Sequence, residues 1–216
     1  MEDPTAIAAI RQVATLIAPD QVVANLQASS PSASVGDLIT LNSSFRKKDT
    51  TAFAGIPVQV EMKSGAGDWT KIFTGTSKSD GTISLPIIFS ENAVLRVKSD
   101  GSWDRLPGQS AEVNLKIARQ ISWNPPTSMR AGVTYNVTGS IFPKEAGITI
   151  NLDSGSSGTW TVAPSAVTNS DGTFSIPVVI SKVGGASTGA ISMRTVIAAD
   201  TRFDQSQSEF VTVLVR

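Results

Sequence analysis

The chain has 216 residues, 18 basic and 18 acidic side chains, and no cysteine or histidine. Balanced charge gives no field toward phosphate backbones or anionic lipid, so nucleic acid is not an expected partner. The missing residue types exclude thiolate and imidazole nucleophiles, cysteine-held metal clusters, disulfides and the Ser-His-Asp relay, and no cofactor is expected.

The opening Met1-Glu2-Asp3-Pro4 is acidic where a secretion signal would be basic, and no stretch is apolar enough to span a bilayer. A leader is expected to have been removed, with no membrane insertion in this fragment. Ile7, Ile10, Val13, Ala14 and Ile17 fall at helical spacing between Pro4 and Pro19-Asp20, which predicts a short amphipathic helix within residues 1–20. Too short to stand alone, it is expected to dock on its own domain or on a neighbouring chain.

From Gln21 the period becomes two. Ser and Thr together number 49, which suits sheets with hydroxyl-bearing outer faces. Leu38–Ser43, after Gly36, matches Thr134–Gly139 after Gly132, and Gly55–Val60 matches Gly147–Leu152. A turn and a tryptophan follow in each half, at Gly67-Asp68-Trp69 and Gly158-Thr159-Trp160. Then Ser79-Asp80-Gly81-Thr82-Ile83-Ser84-Leu85-Pro86-Ile87 returns 91 positions later as Ser170-Asp171-Gly172-Thr173-Phe174-Ser175-Ile176-Pro177-Val178. Ile83, Leu85, Ile87 and Phe89 alternate onto one face, as do Phe174, Ile176, Val178 and Ile180, so that face is expected to be core. Pro86 and Pro177 lie opposite and belong on an edge strand or a bulge, since proline cannot donate to a ladder. Next come Leu95-Arg96-Val97 and Met193-Arg194-Thr195, then Trp103-Asp104 set against Phe203-Asp204, and closing strands Ser110–Leu115 and Ser208–Val213.

About seven short strands per half predict an all-β chain: two tandem immunoglobulin-like β-sandwich domains, 21–119 and 120–216, preceded by the short helix. The linker, Ala118, Arg119 and Gln120 followed by Asn124-Pro125-Pro126, is short and stiff, which predicts an end-to-end rod with Trp123 at the joint. Its stop at Arg216, where a next linker would begin, fits a piece of a longer array and equally a natural end.

Taken together, the turn glycines, Gly-x-Trp, Ser-Asp-Gly-Thr-[Ile/Phe]-Ser, the [Leu/Met]-Arg pair and the closing strands resemble bacterial immunoglobulin-like (fibronectin III-like) repeats of secreted and cell-surface proteins, notably actinobacterial ones. The resemblance covers Gln21 to Arg216. It implies extracellular or cell-surface display, adhesion or spacing, and brings no catalytic residues with it.

Candidate sites compete with plainer roles. Trp69 and Trp160 would suit stacking on a sugar, but their matched positions favour packing anchors. Trp103, with Asp104 and Arg105 in a polar loop, is the better contact candidate, although pairing it with Phe203 argues for packing. Asp80-Gly81 and Asp171-Gly172 read as hairpin turns rather than calcium ligands, which would need about six converging oxygens. Arg96 and Arg194 are expected to make intradomain hydrogen bonds or ion pairs. Loops that differ between copies are freer to carry function. The first has Arg46-Lys47-Lys48 followed by Phe53, which suits a grip for an acidic polymer or a neighbouring subunit although three basic residues alone are usually a solvated turn, and the second has a Gly-rich stretch at Lys182 to Ala190 that is no phosphate cradle. The sequons at Asn42 and Asn136 fall in strands and read as accidental.

The leading expectation is a noncatalytic structural or adhesive module, with a protein or a cell-surface polysaccharide as partner. A carbohydrate-binding module working through Trp103 is the first alternative. A virion or filament subunit, homo-oligomeric through the N-terminal helix and loops, is the second. An enzyme is least expected, since carboxylate pairs such as Asp100 with Asp104 come with no sign of a cleft.

Overall fold

The computed structural model describes residues 19–154, 164–180 and 189–216. The helix expected at Pro4 to Ala18, Trp160, and the loop from Lys182 as far as residue 188 lie outside the described residues. Among the described residues every regular element is a strand. The first nine are β1 (Val23–Ala28), β2 (Ser32–Ser34), β3 (Leu38–Arg46), β4 (Pro57–Lys63), β5 (Thr70–Thr76), β6 (Thr82–Ile88), β7 (Ala93–Ser99), β8 (Gly108–Gln109) and β9 (Val113–Ala118). The second nine are β10 (Gln120–Asn124), β11 (Ser128–Met129), β12 (Thr134–Phe142), β13 (Thr149–Ser154), β14 (Ser165–Val167), β15 (Thr173–Val179), β16 (Gly189–Ile197), β17 (Ser206–Gln207) and β18 (Val211–Val215).

The second nine repeat the first strand for strand. Sheets ordered β1-β3-β6 and β2-β9-β7-β4-β5 become β10-β12-β15 and β11-β18-β16-β13-β14, with β8 on β7 and β17 on β16. Even the short parallel pairs recur, β2 with β9 and β11 with β18. The sequence shows about seven strands per copy because β2, β8, β11 and β17 have only two or three residues each, too short to display a period. Contacts divide the chain into two compact units. One is built on Leu38–Phe89 and Ala93–Leu115 with residues 19–31, the other on Lys116–Arg216 with Ser32–Asp37 and Ser90–Asn92.

Alternation fills each core. In the first copy Ile39, Leu41 and Phe45 of β3, Val58 and Val60 of β4, and Leu95 and Val97 of β7 are buried. In the second, Val137, Ile141, Ile176 and Val178 from one sheet share a single cluster with Ile150, Leu152, Ile191, Met193 and Val213 from the other. Two sheets packed through alternating residues, in this strand order, make an immunoglobulin-like β-sandwich. Outward positions carry hydroxyls and amides, as in the cross-strand pairs Asn42 with Ser84 and Thr138 with Ser175.

The repeated nonapeptide departs from its expected form in two ways. Ile83 and Phe89 are buried, but Leu85 and Ile87 are only half-buried at the open edge of their sheet, whereas Ile176 and Val178 are fully covered. Ser79-Asp80-Gly81 is also not a hairpin, because β5 and β6 belong to different sheets. The turn closes locally, Lys78 N donating to Thr82 O at 2.9 Å and Gly81 N to Lys78 O at 2.9 Å, and then docks on β3 where Phe45 N donates to Gly81 O at 2.8 Å. Gly172 repeats these bonds with Asn169 and Ile141. It is a corner that passes the chain between sheets, and both glycines take left-handed φ values, 76° and 78°.

Candidate functional site

The first copy's residues at one sheet end converge on Asp20. Beyond β3 the chain turns tightly: Lys47 N donates to Thr51 O (2.8 Å), Thr50 N to Lys47 O (2.9 Å) and Thr51 N to the Asp49 carboxylate (2.9 Å). Thr50 sits at φ 74°, which a β-branched residue rarely adopts, and Arg46 Nη1 donates to its carbonyl at 3.1 Å. The Thr51 amide holds the Asp49 carboxyl below its usual range. Phe53 closes the loop, its N–H on Phe45 O at 3.0 Å. Its ring is buried, so Phe53 is an anchor and not the partner contact its place in the basic run suggests.

The second loop is a two-residue turn. Ser102 N donates to Arg105 O at 2.8 Å and Arg105 N returns to Ser102 O at 3.3 Å, leaving Trp103 and Asp104 at the corners. Asp20 N donates to Asp104 O at 2.9 Å and Leu106 N to Asp20 O at 2.8 Å, pinning this turn to the chain that enters β1. The Asp20 carboxylate pairs with Lys47, whose ammonium lies 5.6 Å from the Phe53 ring centre. The hydrogen bond to Asp20, more than its charge alone, raises the Lys47 pKa above the usual lysine value. Arg105 bonds Asp104 at 3.1 Å and is largely covered, whereas Trp103 is 87% exposed. Arg46, the last residue of β3, and Lys47 and Lys48 after it thus lie at one loop, and Trp103, Asp104 and Arg105 at a second, with Asp20 as their common support. In the sequence Pro19-Asp20 reads only as a helix stop; an acidic residue just before the first strand was the available signal.

Matching hydrogen bonds correct the alignment of the two copies here. Asp200 N donates to Phe203 O at 2.9 Å as Ser102 does to Arg105, and Ser208 N donates to Thr195 O as Ser110 does to Val97. Phe203 therefore corresponds to Arg105, and Trp103 to Thr201. Phe203 is fully buried, with the Arg119 guanidinium 4.0 Å from its ring centre. That guanidinium is itself 1% exposed and pairs with Glu145 at 3.1 Å and Asp200 at 2.8 Å. Trp103 thus has no packed aromatic counterpart in the second copy.

The remaining candidates are scaffold. Trp69 is half-buried with the Arg96 guanidinium 3.9 Å over its ring and Lys63 at 5.3 Å. Arg96 is held by Glu61 at 2.7 Å, and Arg194 meets Asp153 at the matching ladder position. Trp123 is half-buried against the core of the second copy. Asp80 and Asp171 each accept, at Oδ1, from the hydroxyl (2.7 Å) and N–H (3.0 Å) of the threonine two residues on, which depresses both carboxyl pKa values. Pro86 and Pro177 stand exposed on β6 and β15, each the outer strand of its sheet. Among the described residues no group of three or more acidic side chains is placed to hold a metal.

The class the fold defines is an immunoglobulin-like tandem β-sandwich. No family model and no curated protein sequence matches the chain. Similar solved structures include a tetra-tandem repeat from the extending region of a large adhesion protein (12% identity over 91% of this chain and 49% of that one, TM-score 0.37). They also include the D0-D1 domain of intimin (14%, 88% and 97%, TM-score 0.35) and red sea bream transglutaminase (11%, 100% and 34%, TM-score 0.46). The chain spans about half of the adhesion-protein structure and a third of the transglutaminase. At TM-scores below 0.5, none of these likenesses bears on what the chain does.

Proposed function

We propose that this chain is a noncatalytic structural and adhesive module of a bacterial surface or secreted protein, its two sandwiches serving as spacer and interaction domains. The observation that carries the reading is the strand-for-strand repetition of one scaffold with its corner hydrogen bonds, while the connection after β3, residues 47–56, is longer than its counterpart after β12, residues 143–148. A duplicated scaffold with variable loops suits display, because the sheets fix loop positions while the loops change at little cost to the fold. The chain lacks histidine and cysteine, and the turn aspartates Asp80 and Asp171 are bonded to threonines.

The test is accessibility on the intact cell. Antibody against this chain is expected to label unpermeabilised cells of the source bacterium, or the protein is expected in the medium, and external protease is expected to remove the cell-bound signal. Labelling that appears only after lysis refutes the reading.

A further inference from the structure

Resting on the adhesive reading above, we propose that Trp103 is a stacking platform for a neutral polysaccharide chain.

The turn that carries Trp103 does not require it. The second copy builds the same turn, with the bond from Asp200 N to Phe203 O, and places Thr201 at the corner. Trp103 therefore contributes nothing the scaffold needs. At 87% exposure it leaves an indole in water on a turn held from both sides, by the Ser102–Arg105 pair and by Asp20. A tethered turn presents the ring with little ordering left to lose on binding, the condition under which an aromatic anchor contributes most.

Charge at this end selects the partner. Arg46, Lys47, Lys48 and Arg105 stand against Asp20, Asp49, Asp100 and Asp104, so cations and carboxylates balance. Several are engaged internally: Lys47 with Asp20, Arg105 with Asp104, Asp49 with the Thr51 amide, and Asp100 with the Gln59 amide at 2.9 Å. Among the described residues of these two loops and Asp20, no net charge is left to favour an acidic or a basic ligand. What remains is a flat apolar ring beside half-exposed carboxylates whose oxygens accept hydrogen bonds. An uncharged polyhydroxylated chain matches both, its C–H faces lying on the indole and its hydroxyls donating to Asp104.

The experiment is affinity electrophoresis of the whole chain through gels containing hydroxyethylcellulose, glucomannan or dextran, with alginate as the anionic comparison. At least one neutral polymer is expected to retard the protein and shift its tryptophan emission to the blue. W103A is expected to lose roughly tenfold or more in affinity and W103F to keep part of it. T201W, which places an indole on the matching turn, is expected to fold and to raise retention. The inference is overturned if no neutral polymer retards the chain, if W103A is retarded as strongly as the parent, or if alginate alone binds. It is likewise overturned if Trp103 drives self-association in sedimentation without retardation by any neutral polymer. Failure on any of these counts leaves the cell-accessibility result untouched, so the two readings fail separately.

Discussion

Alanine at the two corner glycines separates a backbone term from a packing term. Gly81 and Gly172 hold nearly the same left-handed φ, 76° and 78°, so forcing an L-residue there costs each copy about the same, roughly 1–2 kcal/mol. Their surroundings differ. A Cβ on Gly81 would lie 2.6 Å from Phe45 O, whereas on Gly172 its nearest contacts, Ile141 O and the Lys144 Cα, are at 3.0 Å. Phe45 cannot withdraw freely, because its N–H is bonded to Gly81 O and its carbonyl accepts from Phe53 N. Relief in the first copy therefore disturbs about one further hydrogen bond, about 1 kcal/mol. Gly172→Ala is expected to cost about 1–2 kcal/mol and Gly81→Ala about 2–3 kcal/mol. Asparagine tolerates the left-handed region but still carries a Cβ, so Gly172→Asn is expected to recover most of its loss and Gly81→Asn only part. Urea unfolding followed by tryptophan fluorescence and circular dichroism measures these costs, each read in the transition of its own copy. Equal costs for the two alanine variants, or full recovery by asparagine at both sites, would refute the packing argument.

Arg119 is expected to matter more for stability than any surface ion pair. Arg119→Ala removes the guanidinium from Phe203 and from two carboxylates that are 35% and 41% exposed and so can regain water, which sets the loss at about 1–3 kcal/mol. Arg119→Met, retaining the stem on the ring, is expected to lose about half as much by urea titration. Acid is expected to destabilise the fold in a defined window. Burial pushes the Glu61 carboxyl up, but the Arg96 bond and the charges of Arg96 and Lys98 outweigh it, so its folded pKa lies below the ordinary value. Asp200 is likewise held low, Arg119 and the amides of Phe203 and Arg202 overcoming burial. A depressed carboxyl contributes stability that is full above its unfolded pKa, about 4, and is lost as pH falls through the folded value. Glu61→Gln is expected to flatten that loss between about pH 5 and 2, and an acid profile for this variant equal to the parent's would count against the pairing. Trp103→Ala is expected to leave the unfolding free energy within about 0.5 kcal/mol of the parent, since the side chain covers nothing.

The fold was legible because alternation and turn chemistry are local. Ile39, Leu41, Ser43 and Phe45 point inward at every second position, and Asp80-Gly81-Thr82 encodes its corner through bonds among neighbouring residues. What stayed hidden depends on partners distant in sequence. Nothing near Asp20 announces that its backbone will bond Asp104 and Leu106 or that its carboxylate will meet Lys47, and nothing near Gly81 tells that β5 and β6 enter different sheets. The misplaced pairing of Trp103 with Phe203 has a particular cause. An aromatic followed by aspartate matches in letters, but register in a sandwich is fixed by which N–H meets which carbonyl, and those bonds set Phe203 against Arg105. In the first copy a cation, Arg105, fills that position and Val22 is buried near the start of β1; in the second a ring, Phe203, fills it and a cation, Arg119, is buried at the start of β10. The aromatic in one copy is thus structural and the aromatic in the other, two positions earlier on the same turn, is free. Residue type alone paired the two aromatic positions, and the hydrogen-bond register separates them into a buried anchor and an exposed ring.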